Sequence, residues 1–146
     1  PIATMKSSSD SSVKVRRMVS DEKAYAAGFS NATDAEGMAA LMEAAVRSPK
    51  LSEGARRTAW EILAAQEWND QIPAGIPKQA GVVVAHKTGS ISKVQHDAAV
   101  IRLPDGREYV LVLLATDFGA NEEGRARVVA ATRRMSRAVW EAMIAP

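Results

Sequence analysis

The sequence predicts an α+β fold: a C-terminal antiparallel sheet of three strands, covered by a C-terminal helix and preceded by a helical part. Three observations carry this. Strand-like runs at Val82–Gly89, Gln95–Leu103 and Glu108–Thr116 follow one another closely, the last two joined by the turn residues Pro104-Asp105-Gly106. Before them, apolar residues recur at three- and four-residue spacing. After them, Asn121 followed by Glu122 and Glu123 starts a helix in the manner of an N-cap with acidic first-turn residues.

Taken in order, residues 1–12 are serine-rich without an apolar period and read as a loose terminus; residues 13–80 read as a loop and helical part. Thr33-Asp34-Ala35-Glu36 has the form of a capping box, Thr33 serving the Glu36 amide. The stripe Met38, Leu41, Met42, Ala45, Val46 then predicts a helix that stops near Ser48-Pro49. Ser52 caps a second helix carrying Trp60, Leu63 and Ala64 on one face, with Ile62 alongside. Met38 and Met42 of the first helix and Trp60 of the second are expected to be core. Pro73, Gly75, Pro77 and Gly81 make Asp70–Ala80 a connector with neither helix nor strand. Residues 81–146 hold the meander and last helix. The unbroken apolar run Tyr109–Ala115 needs cover on both faces, and Val128, Ala131, Met135, Val139 and Ala142 are the helix face expected to supply one cover. One helix and a short helical pair are little cover for three apolar strands, so the inventory amounts to half a fold.

Composition excludes more than it assigns. The chain of 146 residues carries a formal net charge of +2 and no cysteine, which removes disulfides and thiolate metal sites. Arg125, Arg127, Arg133, Arg134 and Arg137 cluster late in the chain, but no aromatic residues are interleaved as stacking platforms. They read as a solvated helix face, so no nucleic-acid partner is expected. No run of 18 apolar residues exists and Pro1–Lys14 has no apolar core segment, so neither a membrane span nor a signal peptide is read in the chain.

The chemistry concentrates at His86-Lys87-Thr88-Gly89-Ser90, at the end of an apolar strand, with His96-Asp97-Ala98-Ala99-Val100-Ile101 opening the next. This order resembles the C-terminal half of class A β-lactamases and related penicillin-recognising serine hydrolases. Further matches in the right order are Arg16-Arg17-Met18, Gly28, Asn31-Ala32-Thr33-Asp34, Ile72-Pro73-Ala74-Gly75-Ile76-Pro77 and the Pro-Asp-Gly hairpin, together spanning about residues 13 to 143.

The resemblance implies the three C-terminal strands of a β-lactamase/transpeptidase-like fold, residues 1–146 being the C-terminal half of one domain whose N-terminal helix and strands lie outside the chain. It implies that Lys87 and Thr88 hold a substrate carboxylate by charge-assisted hydrogen bonds. Gly89 lets substrate lie close to the strand, and the Ser90 backbone N–H is an oxyanion donor. The substrate is then a β-lactam or an acyl-peptide, no cofactor or metal is called for, and the protein is bacterial and periplasmic or secreted. His86 and His96 read as structural or as supports behind the site rather than metal ligands, and Asp97 as an anchor of the strand or loop through hydrogen bonds.

Three family elements are not found, one of them a Ser-Asp-Asn element that in the family precedes the region matched here. The nucleophile is a Ser with Lys one helical turn later, and the strings Ser11 to Lys14, Ser20 to Lys23 and Ser90 to Lys93 open no buried apolar helix. The loop whose Glu activates the deacylating water has only Arg17-Met18-Val19-Ser20-Asp21-Glu22-Lys23 as its counterpart. Enzymatic activity is therefore expected of the complete fold, its nucleophile outside this chain on a companion N-terminal segment. The rival readings are a non-catalytic or domain-swapped fragment completed by a second copy, and a D-alanyl peptidase or esterase-like relative with slow or no β-lactam hydrolysis.

Overall fold

A computed structural model of the chain describes residues 33–91, 93–119 and 121–144. Within the compact unit that begins at Asp34, α1 (Ala35–Arg47) starts where Asp34 accepts the Gly37 amide at 2.7 Å. The observed cap is thus one residue later than the expected Thr33–Glu36 box, because an aspartate at Asp34 reaches the third following amide as well as a threonine would. α2 (Glu53–Ala64) is capped as expected, Ser52 Oγ accepting from Ala55 N–H at 3.2 Å. The connector carries a single helical turn, α3 (Ile72–Gly75). No helix was expected there, but Pro73 stands in the first turn, where its missing N–H costs nothing.

The sheet runs β1 (Val83–Ile91), β2 (Val94–Arg102), β3 (Glu108–Thr116), antiparallel in the order β1-β2-β3. Both registers are unbroken, from Val83↔Arg102 to Ile91↔Val94 and from Val94↔Thr116 to Arg102↔Glu108. The expected strands are all present, β3 with the expected ends and β1 and β2 shifted slightly. β2 is central and contains the most buried stretch, Asp97 to Ile101.

Alternation along each strand divides the core in two. On one face Val84, Ala99, Ile101, Tyr109, Leu111 and Leu113 pack with Ile72 and Ile76 and with Trp140. On the other, Ala98, Val100, Val110 and Val112 pack with Met38, Met42, Val46, Trp60 and Leu63 of α1 and α2. β3 is therefore approached from both sides, as its unbroken apolar run requires. Leu41 is exposed, contrary to the expectation of a buried stripe, and Ile62 and Trp68 are exposed as well.

The last helix, α4 (Glu122–Ile144), begins as expected, Asn121 Oδ1 accepting from Gly124 N–H at 2.8 Å. Its buried stripe, however, is Gly124, Thr132, Ser136 and Trp140, one position round from the face expected through Met135, which is exposed. Close approach to α3 decides the phase. A Cβ on Gly75 would stand 2.5 Å from the Arg133 carbonyl oxygen and 2.6 Å from Ser136 Cβ, and Ser136 Oγ donates to the Ile72 carbonyl at 2.8 Å. Small residues are needed at that contact, and the hydrophobic pattern does not encode it.

Candidate functional site

Among the described residues β1 pairs only with β2 and is an edge strand, and Lys87, Thr88, Gly89 and Ser90 lie along its C-terminal half, opposite Ala98, Asp97, His96 and Gln95 of β2. Lys87 and Ser90 are exposed and Thr88 is half-buried. Strand alternation sends Lys87 to the face covered by α1 and α2, whereas His86, Thr88 and Ser90 share the other. The Lys87 ammonium donates to the Thr88 carbonyl at 2.7 Å, which leaves two of its three N–H donors without a bond to the described residues. A Cβ on Gly89 would make only ordinary contact, 3.9 Å from His96 Cβ, so folding among the described residues does not demand glycine there.

Behind this strand lies a polar cluster. His86 and Asp97 are both buried, with His86 Nδ1 3.0 Å from Asp97 Oδ1. The other oxygen, Asp97 Oδ2, accepts the Ile72 amide at 3.0 Å. Asp97 thus ties β2 to the start of α3, the anchoring role expected of it. On the far side of the imidazole, Asn69 Oδ1 stands 3.2 Å from His86 Nε2. Gln71, also buried, reaches the His96 carbonyl from the same connector at 3.4 Å, and His96 Nδ1 accepts the Ala115 amide at 3.2 Å. The participation of Asn69 and Gln71 was not foreseen. Their only sequence signal is polar side chains flanking Asp70 in a proline-bounded connector.

Among the described residues there is no group of three His, Asp or Glu side chains able to hold a metal, and no helix long and apolar enough to cross a membrane. The five late arginines are all exposed. An open depression of about 330 Å³ lies between α3 and α4, lined by Gly75, Arg133, Arg134, Arg137 and Glu141, and includes none of Lys87 to Ser90. The Ser90 to Lys93 string spans the β1–β2 hairpin and not a helix. The other two Ser-x-x-Lys strings lie outside the described residues, as do Arg16, Arg17, Met18, Asp21, Glu22, Gly28 and Asn31.

Comparison with known proteins agrees with this architecture. The structure of PBP-A superposes with a TM-score of 0.66 at 30% identity, covering 76% of this chain and 40% of that one. A variant of PBP-A solved as an acyl-enzyme complex with penicillin G matches equally well. A β-lactamase from Chitinophaga pinensis gives 0.67 at 27% identity, covering 88% of this chain and 47% of that one. In sequence, a β-lactamase of Bacteroides uniformis is 37% identical over 71 residues, 44% of this chain and 23% of that protein. The fold is therefore that of the β-lactamase class of hydrolases, present in part, since the chain spans less than half the length of these relatives. The profile of the beta-lactamase enzyme family matches residues 3–143, and the chain belongs to that family.

Proposed function

We propose that this chain is the C-terminal half of a single serine-hydrolase domain that acts through an acyl-enzyme on a β-lactam or a related carboxylate-bearing amide or ester. The observation that carries the proposal is the placing of Lys87-Thr88-Gly89-Ser90 on an edge strand, with Lys87 and Ser90 exposed and two ammonium donors to spare. Lys87 and Thr88 would bind the substrate carboxylate by charge-assisted hydrogen bonds. The Ser90 backbone N–H would serve as one oxyanion donor, a role typically worth roughly 3 kcal/mol of barrier. Gly89 fits the same scheme: nothing among the described residues needs a glycine there, whereas a substrate lying close along the strand would. The nucleophile belongs to a companion N-terminal segment, and no metal or cofactor is needed. Acyl-enzyme formation by a variant of PBP-A with penicillin G supports the reaction class, and family kinship supports a bacterial, periplasmic or secreted setting.

The test is denaturing mass spectrometry of the intact protein before and after incubation with benzylpenicillin, with substrate turnover followed in parallel. The expected result is a species that gains the mass of the drug, or turnover if deacylation is fast. Lys87→Ala should lower the second-order acylation rate by roughly 10- to 150-fold, the worth of a hydrogen bond to a charged group. Neither adduct nor turnover would favour the other reading, a non-catalytic or domain-swapped fragment. What speaks for that alternative is that the one described Ser-x-x-Lys string lies in a hairpin.

A further inference from the structure

The hydrogen-bond pattern around His86 specifies more than a filled core position. Asn69 has a fixed amide orientation, because its Nδ2 donates to the carbonyls of Gln66 at 2.7 Å and Glu67 at 3.1 Å. Its Oδ1 is therefore the atom presented to His86 Nε2. On the opposite side, Nδ1 meets Asp97 Oδ1, while Asp97 Oδ2 is already accepting the Ile72 amide. An amide oxygen has no proton to give, and a carboxyl group is ordinarily more acidic than an imidazolium by over two units, so the proton between His86 and Asp97 belongs on the ring. Both ring nitrogens thus face acceptors. A neutral ring would turn a lone pair against one of those oxygens, and a flipped ring would turn carbon atoms against both.

We propose that His86 is held as a doubly protonated imidazolium and acts as a positioning residue, fastening the 69–72 connector behind the Lys87–Ser90 strand and releasing Asn69 when the Nε2 proton is lost. Three segments meet at this one ring: β1 through His86 itself, β2 through Asp97, and the connector through Asn69 directly and Ile72 by way of Asp97. The charged groups contributed by the elements around it are Asp97 from β2, Asp70 from the connector, and Arg133 from α4, whose Nε donates to the Asp70 carbonyl at 2.6 Å. Lys87 and His96 alternate to the opposite face, where α1 and α2 pack. Asp97 keeps the Nδ1 proton because its negative charge faces it, so Nε2, opposite a neutral amide, is the nitrogen that deprotonates first. The link to substrate binding rests on the role proposed for Lys87, whereas the protonation state does not.

Nitrogen-15 NMR of the histidine rings in the intact protein, titrated upward from about pH 7, tests both parts. Expected at the start are two protonated ring nitrogens for His86, followed by loss of the Nε2 proton with concerted shifts of the Asn69 side-chain amide and the Lys87 and Thr88 backbone amides. Asn69→Ala, at an exposed position where the fold should survive, removes the Nε2 acceptor and should move the loss of the Nε2 proton to lower pH. A singly protonated His86 ring near pH 7, or a titration unmoved by Asn69→Ala, overturns the proposal. Shifts confined to residues 66–72, with Lys87 and Thr88 unaffected, overturn the positioning role alone. A protein inert towards penicillin would leave these readings unchanged, so failure of the catalytic proposal and failure of this one are distinguishable.

Discussion

Tyr109 places a hydroxyl in the apolar core beside Leu111 and Ile101, and that oxygen is buried without a hydrogen-bond partner among the described residues. Burial also pushes the phenol up to about 12, so the group stays neutral and supplies no charge that would repay its desolvation. Tyr109→Phe removes the unsatisfied oxygen and keeps the ring, and should be neutral or stabilising by up to about 1 kcal/mol, read from the midpoint of urea unfolding. A loss of more than about 1 kcal/mol would mean that the hydroxyl has a partner. At this scale the sequence was partly legible. Asp97 opening an apolar strand pointed to an anchor, since a buried carboxylate must be paired. The geometry around His86 was not, because Asn69 is 17 residues away and its amide orientation depends on the local fold of the connector.

Between elements, Glu108 at the head of β3 joins parts that hydrophobic patterning treats separately. It accepts from Arg47 at the end of α1 and from Arg102 on β2, and Arg102 in turn lies 4.1 Å over the Trp60 ring of α2. Burial pushes the Glu108 carboxyl up, but the Arg47 and Arg102 guanidiniums together outweigh it and hold the group below its ordinary value. A carboxylate lowered in the folded state contributes stability that is complete above the unfolded value, here 4.5, and is lost as pH falls through the folded value. Glu108→Gln should therefore be less stable than the parent at neutral pH, and the two should converge as pH falls below 4.5 and through the lowered folded value, as followed by thermal unfolding across pH. A difference that persists undiminished into acid would show that packing, not charge, accounts for it. Sequence reasoning read the elements well where turn chemistry punctuates them: Pro104-Asp105-Gly106 fixed the start of β3, and Asn121 the start of α4. It misjudged the face of α4 because the decisive contact is steric, Gly75 against Ser136, and a helix chosen for close approach buries Thr132 and Ser136 where an apolar stripe would be expected.

Across the whole molecule, the imbalance is between a sheet with apolar faces and the strands available to finish it. Among the described residues β3 pairs only with β2, so the nine residues Glu108–Thr116 present an unpaired edge whose side chains are apolar almost throughout. Such an edge is a template for another strand, and nothing along it supplies the lysine, proline or bulge that usually discourages pairing. The chain also spans only 40 to 47% of the solved structures it resembles. If a companion N-terminal segment completes the domain, as proposed, the 146-residue chain expressed by itself should self-associate as its concentration rises. Adding the companion should convert it to a one-to-one complex, with slower amide exchange along β3 than in β3 of the chain alone; sedimentation velocity and hydrogen exchange read the two effects. A second copy pairing across the same edge would instead give a symmetric dimer that the companion does not displace. A chain that stays monomeric at high concentration, with β3 amides already protected, would mean that residues of its own cover the edge, and the need for a companion would fall with it.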